Sequence, residues 1–208
     1  MRGIIVALHF AAQGSLPLYL VGSGLPSIRP LVGKSKTYAE RMFNYSDIGA
    51  LGEADVDLAI TAPLNSNGLD IERAAIAEVF EKTRGYPYFL QEFGYQIWIA
   101  AEGSPITIED VRRIEPEVLS RLDANFFDVR FDRISGRERD FLRAMADFPQ
   151  GEVVQVSEVC RLMGRSLAAV SPVRASLIKK GVVYSPEYGA IAYTVPMFAD
   201  YLKRTMRA

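Results

Sequence analysis

The order of apolar and polar positions changes character several times along the chain. Residues 1–12, Met-Arg-Gly-Ile-Ile-Val-Ala-Leu-His-Phe-Ala-Ala, read as the end of an amphipathic helix with Gly14 as its stop, followed by a buried strand Leu18-Tyr19-Leu20-Val21. A secretory leader is the alternative for this basic-then-apolar start. His9 interrupts the apolar run and Gln13-Gly14-Ser15 is a poor cleavage site, so the helix is preferred. Gly22-Ser23-Gly24-Leu25-Pro26 then marks a loop, and Lys34-Ser35-Lys36-Thr37 a polar stretch.

Helical spacing dominates from residue 53. One short helix is expected over residues 53–62, closed by Pro63. A second is expected from Asp70, as N-cap, to Arg84, with Gly85 at the C′ position. Pro87 suits the first turn of a third helix running to Glu102. Thr107 with Asp110 forms a capping-box pattern opening a fourth, and Pro116 is expected to start a fifth. Phe126-Phe127-Asp128-Val129-Arg130-Phe131-Asp132 reads as an extended, packed linker, because a free linker is polar.

After it, Ser135 and Glu138 form a second capping-box pattern for a helix to Asp147. A short helix is expected over residues 157–163, then the turn Gly164-Arg165, then a longer helix from Ser166 to Lys180 stopped by Gly181. Residues 182–185 and 190–195 read as strands around Pro186-Glu187-Tyr188-Gly189. A final helix starts at Pro196 with Met197, Phe198, Tyr201 and Leu202 on one face. Helix, short helix, turn, helix and hairpin is the order of a winged helix-turn-helix.

The expected architecture is therefore mainly α. A short α/β segment (1–50) precedes a helical bundle (51–125) and a winged helix-turn-helix with a small β-hairpin (126–208). With 208 residues, 49% apolar and 24% charged, the chain has an ordinary globular composition, which excludes collagen, disordered and disulfide-scaffold classes. One cysteine, Cys160, excludes an intrachain disulfide and a cysteine-rich zinc site, and it fits a reducing cytoplasm. No apolar run approaches the ~18 residues needed to span a bilayer. The net charge of −1 conceals a division: residues 129–208 hold 13 Lys+Arg against 8 Asp+Glu, a net of +5, leaving −6 in residues 1–128.

Catalytic constellations are scarce. His9, the one histidine, sits in an apolar segment without a nearby nucleophile, and Cys160 lies among Val159, Leu162 and Met163, so both read as structural. No catalytic and no metal-ligating residue is assigned. No GxxxxGK[ST] phosphate loop occurs in these residues, and Gly22-Ser23-Gly24 lacks the third glycine and following helix of a dinucleotide site. In the second half of the winged helix-turn-helix, Arg165, Ser166, Ser171, Arg174, Lys179 and Lys180 alternate with Leu167, Val170, Val173, Leu177 and Ile178. If the apolar set packs inward, the basic and hydroxyl set is left for phosphates and base edges of double-stranded DNA. Winged helices also serve as protein-interaction modules, and Glu187 at the wing tip tempers the basic character.

Three segments carry a family resemblance. Leu16-Pro17-Leu18-Tyr19-Leu20-Val21-Gly22-Ser23-Gly24-Leu25-Pro26 resembles a late core strand of P-loop ATPases of the AAA+/STAND kind. Tyr38-Ala39-Glu40-Arg41-Met42-Phe43 with Ile48-Gly49-Ala50-Leu51 is similar to the segment leading from that core into the lid. Thr83-Arg84-Gly85-Tyr86-Pro87-Tyr88-Phe89-Leu90-Gln91-Glu92 resembles the family's GxP motif at a lid helix. The helical and winged-helix order that follows is similar to archaeal replication-initiator ATPases and their bacterial relatives, so the resemblance extends over nearly the whole chain.

The resemblance implies that the chain is the C-terminal part of such an ATPase, with Walker A and Walker B upstream. It implies Ser23 near sensor 1, Arg41 as arginine finger, and Arg84, Gly85 and Pro87 bordering the nucleotide with Tyr86 near the adenine. ATP with magnesium is the cofactor of the parent protein, none is expected to bind tightly to this chain alone, and the chain alone is not expected to hydrolyse ATP. A protein partner or a homo-oligomer is a further expectation. The competing readings are a free-standing winged-helix DNA-binding protein and a protein-interaction module built on exposed Tyr and Phe residues.

Overall fold

The computed structural model describes residues 2–24, 28, 32, 41–46, 48–149 and 153–206. It divides into two compact units, residues 1–48 and 49–208. In the first, α1 (Arg2–Gln13) has the amphipathic pattern expected, with Ile5 and Ala11 buried. Residues 16–21 do not form the buried strand: the backbone is irregular and Leu18, Tyr19, Leu20 and Val21 are exposed. An apolar strand of this kind needs a sheet on both flanks, and the described residues of this unit contain no strand for it to join. Leu25, Pro26, the stretch 34–37 and residues 38–40 lie outside the described residues.

The second unit is mainly helical. Its first four helices are α2 (Glu53–Asn65), α3 (Arg73–Thr83), α4 (Pro87–Ala100) and α5 (Ile108–Leu122). Pro63 does not close α2, and Pro116 does not start a new helix in α5. In both cases a buried stripe crosses the proline: Val56, Ile60 and Leu64 in α2, and Val111, Ile114, Val118 and Leu122 in α5. An interior proline costs about 3 kcal/mol, which the burial of several large aliphatic side chains exceeds. Asp70 is not the N-cap of α3, which is Glu72. The Asp70 carbonyl is instead occupied by the Ile106 N–H (2.8 Å), and Glu72 N–H donates to the Ile106 carbonyl (2.9 Å). The Thr107/Asp110 capping box is present, the Asp110 carboxylate accepting from the Thr107 N–H at 2.9 Å.

The expected extended linker is helical. A π-turn, Asp123–Phe127, continues α5 directly into α6 (Asp128–Phe131). The wider turn holds one residue more than an α-turn, so the neighbours Phe126 and Phe127 both face inward. Phe127 is fully buried against Phe89 (5.6 Å) on one side and Phe198 (5.7 Å) and Tyr201 (5.0 Å, stacked) on the other. Asp123 pairs with Arg204 at 2.6 Å, and Tyr201 donates its hydroxyl to Asp128 at 2.6 Å. Burial and Asp128 together hold the Tyr201 phenol well above its ordinary pKa.

α7 (Gly136–Ala146) opens with the Ser135/Glu138 capping box. It is followed by β1 (Val154–Gln155), α8 (Val156–Met163), α9 (Leu167–Lys179), β2 (Val183–Tyr184), β3 (Ala190–Tyr193) and α10 (Phe198–Thr205). Gly164 ends α8 at a φ of 60°, and Ser166 caps α9. The sheet is antiparallel in the order β1-β3-β2, with Val154 opposite Ile191 and Val183 opposite Tyr193. β1 escapes a sequence reading because two residues carry no periodicity. One apolar core runs through the unit from Val56 to Leu202.

Phe127→Ala should destabilise the second unit by about 3–5 kcal/mol, the range for deleting a buried aromatic ring. Denaturant unfolding followed at the tyrosines and at Trp98 checks this. Because Phe127 touches both ends of the unit, both probes should shift together; separate transitions would show that residues 49–208 are not one cooperative body.

Candidate functional site

Two surfaces of the second unit carry the residues singled out by sequence. The first is the turn between α3 and α4. Thr83 is buried; its hydroxyl donates to the Val79 carbonyl (2.8 Å) and accepts from the Gly85 N–H (3.3 Å). Arg84 and Gly85 follow with φ of 51° and 69°, two successive left-handed residues that reverse the chain. Only glycine fits the second position. The Leu51 N–H donates to the Gly85 carbonyl at 2.9 Å, and a Cβ on Gly85 would stand 2.0 Å from the Leu51 oxygen. Tyr86 is the N-cap of α4 and Pro87 its first residue, where a missing N–H is harmless.

The side chains of this turn divide. The Tyr86 ring is half-buried against Phe89 (4.7 Å) and Phe126 (6.1 Å). The Arg84 side chain is 57% exposed and paired with Glu81 at 3.2 Å. Ser23 and Arg41 belong to the first unit, where both are exposed. Among the described residues no three His, Cys, Asp or Glu side chains gather as a metal-binding group. The turn thus presents one exposed cation, Arg84, while its tyrosine ring is turned inward.

The second surface is the outward face of α9. Of its six singled-out residues, two are committed within the fold. Arg174 donates to the Ser185 hydroxyl (2.7 Å) and the Ala190 carbonyl (3.3 Å), which ties α9 to the β2–β3 hairpin. Lys180 donates to the Glu138 carboxylate (2.7 Å) and the Arg133 carbonyl (2.8 Å). Ser171 bonds back to the Leu167 carbonyl (2.8 Å), and Ser166 accepts the Ala169 N–H (3.3 Å) as cap. Arg165, in the turn before α9, and Lys179, its last residue, are both exposed, at opposite ends of the helix. Between them the outward face is Leu167, Ala168, Ser171, Pro172 and Ala175, without charge.

Sequence reasoning passed over two exposed features. Tyr188 stands fully in solvent at the hairpin tip, held by the Ser185 hydroxyl, which donates toward the Glu187 and Ala190 carbonyls. Tyr88, Tyr95, Trp98 and Ile99 are exposed on α4. The signal for the second was available: α4 has no polar face, which is abnormal for a helix with one side in water.

Burial drives the Glu138 carboxyl up, but its bonds from Lys180 and from Ser135 outweigh this and bring it down from 4.5 to about 2. A carboxyl held lower in the folded state adds stability above its unfolded pKa, and that stability is lost as pH falls through the folded value. Stability should therefore decline by on the order of 2–3 kcal/mol between about pH 4.5 and pH 2, and Glu138→Gln should remove this part of the slope. Denaturant midpoints measured across that interval test it. Gly85→Ala should be worse than an ordinary loop substitution, costing about 2–4 kcal/mol from the positive φ and the clash with Leu51; thermal unfolding reads it directly.

Comparison with known proteins adds two findings. Residues 124–202, from the π-turn into α10, match a domain of unknown function (DUF8462). The fold is similar to that of the Walker-type ATPase PABY2304 of Pyrococcus abyssi, with a TM-score of 0.59 and 16% sequence identity over 85% of this chain. The match takes in 49% of that ATPase, so the chain spans about half its length. No curated protein matches the sequence. Among the described residues no helix is long and apolar enough to cross a membrane.

Proposed function

We propose that the chain is the C-terminal regulatory portion of an ATP-binding ATPase of the AAA+/STAND type, made of a core remnant, a helical lid and a winged helix-turn-helix. The observation that carries this reading is the superposition of 85% of the chain on half of a Walker-type ATPase. The order α7, β1, α8, α9, β2, β3 with a β1-β3-β2 sheet supports the winged helix-turn-helix.

In this reading the phosphate-binding loop belongs to the rest of the parent protein. The chain contributes a body that answers to nucleotide at the Arg84–Gly85 turn and carries the α9 face at its other end. Because Phe127 packs on both parts, lid and winged helix move together as a rigid body, one of the ordinary ways in which a ligand's effect is carried through a fold. The chain alone, without a GxxxxGK[ST] loop in its 208 residues, is expected neither to bind ATP tightly nor to hydrolyse it. Calorimetric titration with ATP and magnesium should be flat, and micromolar affinity would overturn the reading.

A second reading, contact with duplex DNA through α9, is favoured by the exposed Arg165 and Lys179 and by the net of +5 in residues 129–208. Gel shifts at ~50 mM salt should then weaken in Arg165→Ala and Lys179→Ala, and each lost phosphate contact should flatten the salt slope by about 0.9. Arg174→Ala should act mainly on stability, since that side chain holds the hairpin. An absence of binding to any duplex removes this reading and leaves the first intact.

A further inference from the structure

We propose that a second copy of this chain packs against the exposed face of α4, the two α4 helices lying antiparallel about a twofold axis near Phe93. α4 buries Phe89, Leu90, Phe93 and Ile97 on one side, yet the other side is not polar. Tyr88 is 40% exposed, Tyr95 51%, Trp98 45% and Ile99 58%. With Gln91, the positions 88, 91, 95 and 98 recur at alternating spacings of three and four, the seam of a helix that packs against another helix.

The seam is complementary to itself. Antiparallel, with Tyr88 of one copy opposite Trp98 of the other, Gln91 falls opposite Tyr95, and both pairs occur twice by symmetry. The same register sets Arg84, 57% exposed at one end of the helix, against Glu102, 81% exposed at the other. Each has a weak exposed partner within its own chain, Glu81 and Arg113, so the interchain pair adds register more than energy. An interface in which one patch meets its own copy is what a closed dimer requires.

Area agrees. Aromatic side chains bury about 150–250 Å² each, so four large residues left about half exposed offer on the order of 400 Å² of apolar surface. That is about half of the ~800 Å² a side of a standard interface, close to the usual apolar share. Gly94 points the same way. A glycine inside a helix costs about 1 kcal/mol relative to alanine, and here no neighbour within 4 Å would obstruct a Cβ. Packing within the chain does not require it, whereas a second backbone approaching the Trp98 side of α4 would.

The test is sedimentation of the whole chain over about 1–100 µM. A dimer with a micromolar Kd is expected, and Trp98→Glu, a change at an exposed position, should weaken it at least about tenfold while the melting of the monomer is kept. If that variant alters folding, Gln91→Arg, at an already polar and exposed position, repeats the measurement. Register is read by oxidative cross-linking: a mixture of Tyr88→Cys and Trp98→Cys chains should join unlike chains, and neither chain should join to itself. A monomer throughout the range, an association that ignores both charged variants, or cross-links between like chains would overturn the proposal. The nucleotide reading of Arg84 is independent of it, and Arg84 is left unchanged in every variant.

Discussion

Everything in residues 49–208 is arranged around the ring of Phe127. It lies on the path between two sets of helices and is in ring contact with both. On one side it touches Phe89 and so the α3–α4 turn; on the other it touches Tyr201 and Phe198 of α10, and Phe198 in turn reaches Tyr193 of β3 at 5.7 Å. Polar groups fix the same joint from outside, with Asp123 on Arg204 and Asp128 on Tyr201. Arg130 lies over the Phe126 ring at 3.6 Å and donates to the Phe126 carbonyl at 2.8 Å, which closes the turn that presents both phenylalanines. Dispersion contacts of this density leave two packed layers little freedom to slide.

The charge of the C-terminal region looks different once its partners are known. A net of +5 suggests a surface made for polyanions, yet some of it is directed inward. Lys180 neutralises the buried Glu138, Arg174 anchors the hairpin, Arg204 holds Asp123 and Arg139 covers the Phe131 ring at 4.3 Å. Guanidinium groups suit this task, because they stack on rings and donate several bonds at once. The outward face of α9 is left with a cation near each end and an uncharged middle. Net charge describes a surface well only where the charges have no neighbours.

Much of this was legible in the chain and some was not. Capping boxes at Thr107 and Ser135, the Gly164 turn and the hairpin around residues 186–189 were readable because each is a local signal, set by a side chain a few residues from the backbone group it satisfies. The misread elements depend on distant partners. Pro63 and Pro116 look like boundaries until the buried stripes through them are known, and Asp70 looks like a cap until Ile106 takes its carbonyl. The 126–132 segment looks extended because Phe126 and Phe127 are adjacent, a spacing that no regular helix turns to one side. For the candidate site, sequence located the Arg84–Pro87 turn but not the inward set of Tyr86, and it grouped Arg174 and Lys180 with Arg165 and Lys179 although the fold separates them.

The π-turn also fixes an angular phase. A helix advances 100° and 1.5 Å with each residue, and the extra residue within Asp123–Phe127 is the only offset between the phase of α5 and that of α6. Deleting one residue there would not merely shorten the chain. It would restore a regular helix and turn all that follows by about a quarter of a revolution, carrying Arg204 away from Asp123 and the α9 face toward a different side of the molecule. The orientation of the C-terminal half relative to the helical bundle is thus counted in whole residues rather than tuned by degrees.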